Sequence, residues 1–318
     1  MDALSDVLRL ARLNGGVFLH AQFTAPWCIA GRIAPGMCAP FMEGVQHVIP
    51  YHYVVEGELT VALEGAAPCT LRAGELIMFP RNDLHRMGSD VAYPPVKIAD
   101  VLAPQQGVGL QSISYGKGGA VTRLVCGFLG CDIVHGNPVF ESLPGSIRLR
   151  IEEAGPAEWI RTTFQFAAGE IAAGRAGSAT VLAKLSELLF VEAVRRYARE
   201  LPPGHTGWFA GLQDPVVARV LALMHAAINR NWSVEDLGRE AGLSRSALAE
   251  RFTRVLGVPP MQYLAQWRMH VAAQSLSSSS ISLARLAGQV GYESEAAFSR
   301  AFRKAFGSSP ASWRRLSR

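Results

Sequence analysis

Apolar residues open the chain at helical spacing, with Leu4, Val7, Leu8 and Leu10 set among Asp2, Ser5, Asp6 and Arg9. This predicts a short amphipathic helix. From about residue 16 to 130 the pattern changes to short runs punctuated by Gly, Pro and Asp. The clearest are Val17–Leu19, His52–Val55, Leu59–Leu63, Leu76–Phe79 and Thr122–Cys126. Glu56–Gly57–Glu58 separates two of them and predicts a hairpin turn. Many short strands with regular turns imply a sandwich or small barrel. Helical spacing returns over Trp159–Ala173 and Ala179–Tyr197. In the second stretch Leu182, Leu185, Leu189, Val191 and Val194 oppose Lys184, Glu187, Arg195 and Arg196. That apolar face suits either packing on the barrel or a helix-to-helix dimer contact. Leu201–Pro202–Pro203–Gly204–His205–Thr206–Gly207 predicts a flexible joint.

The last hundred residues carry one helical unit twice. Ser244/Ser294, Phe252/Phe302, Gly257/Gly307, Pro260/Pro310 and Tyr263/Trp313 are each fifty apart, the mark of a duplicated supersecondary unit. Each copy reads as helix, tight turn, helix. Ser233 and Ser282 are N-caps for the first helices, and Asp236 gives one of them a capping box. Gly242 and Gly291 supply the left-handed backbone past those helices. Ser244 and Ser294 cap the second helices, which bury Leu248 with Phe252 and Phe298 with Phe302 at i, i+4. A long helix over about Pro260–Leu276 joins the units, with Met261, Leu264, Trp267 and Val271 as its stripe and Pro260 in its first turn. Ser277–Ser280 reads as a polar joint behind it. The predicted fold class is α+β multidomain. A barrel at about 16–130 and helices at about 157–198 make up residues 1–200, a linker spans 201–214, and an all-α tandem helix-turn-helix domain spans 215–318, with its units at about 233–254 and 282–304.

Charge follows the same division. Residues 215–318 hold fourteen Lys and Arg against six Asp and Glu, while the chain as a whole carries a net charge of +5. The basic excess therefore lies in the tail, the footprint of a nucleic-acid partner on one domain. The second helix of a helix-turn-helix lies in the major groove. Gly291–Tyr292–Glu293–Ser294, with Phe298, Arg300, Phe302, Phe306–Gly307, Pro310 and Trp313–Arg314, closely resembles the DNA-binding domain of AraC-family transcription regulators. That resemblance implies two reading helices held about one DNA turn apart, roughly 34 Å. It places Arg245, Ser246, Ala249 and Glu250 of the first, and Glu295, Ala296, Ser299 and Arg300 of the second, at base edges. Arg300 suits guanine, and Glu250 or Glu295 suits cytosine N4. Ala249 and Glu250 stand where relatives often have longer polar or basic residues. Arg251, Arg254, Arg268, Arg303, Lys304 and Arg314 are the phosphate candidates.

The front half has a second resemblance. Tyr53–Val54–Val55–Glu56–Gly57–Glu58–Leu59, then Leu71–Arg72–Ala73–Gly74–Glu75, Phe79–Pro80 and His85, resembles the cupin fold. With Trp27 and Cys126–Gly127–Phe128 it is similar to the cupin-type sensor of some AraC-family regulators. Cupins often hold a metal, and His52, Glu56 and His85 can be written as a 2-His-1-carboxylate set. Aligned on the Tyr53–Leu59 turn, however, the usual ligand positions fall on Glu43, Val45 and Pro50, and only His85 keeps its place. His52 and His85 are therefore candidates for an effector pocket, and neither metal nor cofactor is expected. The spacing of Cys126 and Cys131 does not suit a zinc site. Cys28, Cys38, Cys126 and Cys131 are read first as buried small hydrophobes and second as redox thiols.

The expectation is a sequence-specific transcription regulator, not an enzyme. Its partners would be double-stranded promoter DNA, RNA polymerase, a small-molecule or chemical-stress effector and a second copy of the chain. The alternative is a cupin-type metalloenzyme tethered to DNA by its tail. The N-terminus lacks a basic region followed by a long apolar run, and no apolar run reaches membrane-spanning length, so a cytoplasmic location is expected.

Overall fold

The computed structural model describes all residues except 1, 12, 39–44, 102–111, 132–136, 152–157, 174–175 and 317–318. Two compact units emerge. One comprises Leu13–Asp132 with Leu143–Arg195. The other comprises Met1–Arg12, Ile133–Ser142 and Arg196–Arg318.

The first unit holds two sheets. One has the order β11-β6-β3-β10-β1-β9, where β1 is Leu13–Thr24, β3 His47–Glu56, β6 Glu75–Met78, β9 Ser112–Gly116, β10 Val121–Cys131 and β11 Ile147–Arg150. The other has the order β5-β4-β7-β2-β8, where β2 is Cys28–Gly31, β4 Glu58–Leu63, β5 Cys69–Arg72, β7 His85–Gly88 and β8 Val96–Lys97. The expected strands are present. The expected hairpin at Glu56–Glu58 is not: β3 and β4 lie in different sheets. Gly57, at φ +81°, turns the chain from one sheet to the other, so the turn closes the barrel instead of pairing its neighbours.

Alternation along β3 explains what each face does, since successive side chains point to opposite faces. His52 and Val54 look inward. Tyr51 and Tyr53 look outward, beneath two helices, α5 (Glu158–Ala173) and α6 (Ser178–Glu200). The Tyr51 hydroxyl lies 3.0 Å from Ser186 Oγ on α6, and Tyr53 stacks on Phe164 of α5 at 4.3 Å. Leu182, Leu189 and Val194 are fully buried, so much of the apolar face of α6 serves packing. Phe166, Val181 and Leu188 stay exposed. Short helices α2 (Pro35–Cys38) and α3 (Ile98–Val101) complete this unit.

The second unit is helical. It contains α1 (Ala3–Leu10), α4 (Pro138–Ser142), α7 (Trp208–Gln213), α8 (Pro215–Ala226), α9 (Val234–Ala241), α10 (Arg245–Leu256), α11 (Pro260–Ser278), α12 (Leu283–Gln289), α13 (Glu295–Phe306) and α14 (Pro310–Leu316). Three expectations change here. The range 201–214 is not linker throughout, because Trp208 and Phe209 of α7 are buried and Trp208 Nε1 donates to Tyr263 Oη at 2.9 Å. The serine run does not end α11 at Leu276. Ser277 and Ser278 hydroxyls donate back to the carbonyls of Ala273 and Gln274, and the helix continues to Ser278. Finally, α1 groups with the tail instead of the barrel: Ala3, Val7 and Leu8 are buried, and the helix packs on α4, α8 and α11.

Candidate nucleic-acid interface and barrel cavity

Each reading helix is held by local chemistry legible in its own residues. Ser233 accepts from the Asp236 amide at 3.0 Å while the Asp236 carboxylate accepts from the Ser233 amide at 3.2 Å, closing the capping box on α9. Gly242 follows at φ +71°. Ser244 accepts from Ala247 N and starts α10; Ser294 accepts from Ala297 N and starts α13. Substituting such a cap by Ala typically costs about 1 kcal/mol. Leu248 and Phe252 anchor α10, and Phe298 and Phe302 anchor α13, all at zero exposure. Around α13 the anchor is an aromatic cluster in which Phe302 and Phe306 lie 4.8 Å apart and Trp313 packs on both.

With those faces buried, the opposite faces are open. Arg245, Ser246 and Glu250 of α10 are exposed and Ala249 is partly so. On α13 Glu295, Ala296 and Arg300 are exposed and Ser299 is partly so. Arg254, Arg303 and Lys304 are exposed as well, with Arg254 3.9 Å from Glu250.

The other phosphate candidates are engaged within the protein. Arg268 donates through Nε to Ile228 O at 2.9 Å and through a terminal nitrogen to Arg230 O at 2.8 Å. Its guanidinium also faces Tyr292 and would meet any side-chain carbon at Gly291, which sits at φ +78°. Arg314 donates to Ile281 O at 2.5 Å and its Nε is buried. Arg251 pairs with Asp214 at 2.9 Å, whose other oxygen caps α8. Arg268 and Arg314 thus satisfy backbone carbonyls left over at helix ends and loops, a role that charge and spacing alone did not reveal.

One buried polar chain runs through the tail core. His225 Nε2 lies 2.8 Å from the Tyr263 hydroxyl, and its ring stacks on Trp267 at 4.0 Å. Burial pushes its pKa down to about 3. The ring is therefore neutral, and the 3.7 Å approach of Asp6 to Nδ1 is proximity, not an ion pair.

Between the two sheets of the barrel lies a cavity enclosing about 530 Å³ of empty space, its open mouth included. Its walls are mostly apolar, with Ala21, Phe23, Ile29, Met87, Ile113 and Phe128 among them. His52, His85 and Cys126 also line it. His52 and Cys126 are opposite each other in the β3–β10 register, with Nδ1 2.9 Å from Sγ. Burial lowers the His52 pKa to about 3 and raises that of the Cys126 thiol, so both are neutral. His52 Nε2 is buried and has no hydrogen-bond partner among the described residues. His85 stacks on Phe79 at 3.8 Å, and its Nδ1 lies 2.9 Å from Asp83 O. A carbonyl only accepts, so that nitrogen carries the proton.

The described residues do not converge on a metal site. Glu56 is on the exposed side, paired with Arg123, and does not converge with His52 and His85. Among the described residues no three His, Cys, Asp or Glu side chains are placed to hold an ion; Glu43 lies outside the described residues. The rings of His52 and His85 are 6.2 Å apart. His47 serves the core, with Nε2 2.7 Å from Pro80 O. None of the five cysteines is joined to another in a disulfide. Burial raises the pKa of Cys28 and takes Cys38 up to about 11, which keeps both as the less reactive thiol. Sequence reasoning found His52, His85 and Cys126 separately but not the His52–Cys126 pair, because strand register is not encoded locally.

Comparison with known proteins divides the chain by sequence, with α1 on the side of the barrel. A family model described as Cupin matches residues 2–199, and one described as Helix-turn-helix domain matches residues 237–316. The chain is 27% identical to the HTH-type transcriptional regulator AlkR of Acinetobacter baylyi, over all of both chains. It is 25% identical to the RCS-specific HTH-type transcriptional activator RclR of Escherichia coli, over 99% of this chain and 97% of that one. A solved AraC-type DNA-binding domain protein from Chromobacterium violaceum is 28% identical over 33% of this chain and 94% of its own, with a TM-score of 0.32. Among the described residues no helix is long and apolar enough to cross a membrane.

Proposed function

Because this chain belongs to the AraC family of DNA-binding transcription regulators, with an N-terminal cupin domain, we propose that α10 and α13 read successive major grooves of an operator and that a ligand in the barrel cavity sets their affinity. The carrying observation is the pair of capped helices α10 and α13, each with its apolar face fully buried and its other face open. On the open faces, Arg245, Ser246, Ala249, Glu250, Glu295, Ala296, Ser299 and Arg300 face base edges. Arg300 donates to guanine O6 and N7, and Glu250 or Glu295 accepts from cytosine N4. Arg254, Arg303 and Lys304 meet phosphates, which fix register and give binding its salt dependence.

The cavity supports a small-molecule effector, since a concave apolar site with a few polar groups is the usual form of a ligand pocket. An effector changes DNA affinity only if it binds one conformation better than another. Exposed Phe166, Val181 and Leu188 support a homodimer through α5 and α6. Transcriptional output then passes to RNA polymerase at the bound promoter.

The test is a protection footprint of the full chain on DNA upstream of its own gene and the neighbouring genes. Two protected patches about one helical turn apart are expected. Log affinity for that site should fall steeply as log salt rises. Equal affinity for the footprinted site and for random DNA at the same salt would sink the reading.

A further inference from the structure

We propose that the barrel cavity takes an apolar molecule bearing one uncharged oxygen, an alcohol in the simplest case, and that His52 Nε2 is the group that recognises it. This rests on the reading of the cavity as the effector site. Three observations carry it.

The first is the orphan nitrogen. His52 is 5% exposed, lines the cavity, and has no partner for Nε2 among the described residues. Buried polar groups are almost always hydrogen-bonded, and an exception points to a missing partner. The second is the direction of the bond that Nε2 can make. The ring is neutral and its Nδ1 faces the Cys126 thiol. Imidazole nitrogen is a far better acceptor than thiol sulfur, so we assign the thiol as donor to Nδ1 and the imidazole proton to Nε2. His52 therefore offers a donor to the cavity and asks for an oxygen acceptor. His85, with its proton held on Nδ1 by the Asp83 carbonyl, keeps a lone pair on its other nitrogen. A hydroxyl, which both accepts and donates, suits such a pair.

The third observation is what the rest of the wall lacks. Among the described residues, beyond the two histidines, Cys126 and Arg32, it is built of aliphatic and aromatic side chains and backbone. Its charged residue, Arg32, is exposed. A carboxylate drawn in beside His52 would lose its hydration without meeting a charge there. A lone water could meet the same two nitrogens but would leave the apolar walls uncovered. An apolar body with one neutral oxygen satisfies both walls and nitrogen.

The experiment is titration of the full chain with hexanol, hexane and hexanoate, comparing the wild type with His52→Phe. Hexanol is expected to bind the wild type about tenfold more tightly than hexane, the effect of one well-made buried hydrogen bond over an unpaired donor. It should also outbind hexanoate. In His52→Phe hexanol should fall to the level of hexane while hexane still binds. Equal binding of hexanol and hexane, tightest binding of hexanoate, or a hexanol preference that survives His52→Phe overturns this inference alone and leaves the cavity as a ligand site. Failure of all three probes to bind overturns the cavity reading together with it. Should His52→Phe not fold, the imidazole nitrogen resonances of the wild type decide. A shift of the His52 Nε2 signal with hexanol but not hexane supports the proposal, and its absence overturns it.

Discussion

At the scale of single residues, the arginines of the tail divide by what they already hold. Arg300 and Arg303 sit one turn apart on α13, both exposed. Arg300→Ala is expected to cost about 1–3 kcal/mol at one operator position and to relax base preference there, checked by affinity for single-base operator variants. Arg303→Ala should weaken all sequences alike and lower the salt slope by about one. Arg268 behaves differently, because its donors are committed to the carbonyls of Ile228 and Arg230. Arg268→Ala should reduce stability to denaturant by about 1 kcal/mol, the loss of hydrogen bonds to one part-buried and one exposed carbonyl, and leave the salt slope unchanged. A lowered salt slope would return Arg268 to the phosphate-binding set. In the sequence these arginines look alike; what separates them is whether the fold brings a carbonyl within reach.

Among elements, legibility follows sequence distance. Helices α9 to α13 were readable because caps, glycine turns and i, i+4 aromatic pairs act within a few residues. Ser294→Ala tests this directly. It should destabilise the tail by about 1 kcal/mol in denaturant melts and weaken operator binding, through an α13 that frays at its base-facing end. Strand existence was readable from alternation, but the change of sheet at Gly57 and the meeting of His52 with Cys126 depend on contacts more than sixty residues apart. Helix α7 was hidden by the prolines and glycines before it, and the membership of α1 by its position ahead of the barrel. Val7→Ala or Leu8→Ala should each destabilise the tail unit by about 2–4 kcal/mol if that packing holds, seen as lower protection of α8 and α11 amides from hydrogen exchange.

For the whole molecule, two buried neutral histidines contribute to the loss of stability in acid, alongside His47, His85 and the carboxylates whose pKa values are also held down. His52 in the barrel and His225 in the tail both have pKa values held down to about 3. An unfolded chain takes up those protons near the ordinary histidine value, about 6.5. Between about pH 6.5 and 3 the unfolded state binds more protons, so stability falls as pH falls, by about 1.4 kcal/mol per pH unit for each histidine. Above about pH 6.5 neither contributes a slope. Denaturant midpoints measured across this window should decline on acidification, and His225→Phe should flatten the decline for the tail unit.

The placement of α1 also bears on how the polypeptide is made. Its eight residues are made ahead of the barrel, yet their landing surface on α8 and α11 appears only after about two hundred more have been added. Until then Val7 and Leu8 have no cover. Tail synthesis without α1 would leave the surface of α8 and α11 that it covers bare, so a fragment begun after the barrel should clump more readily than the full chain.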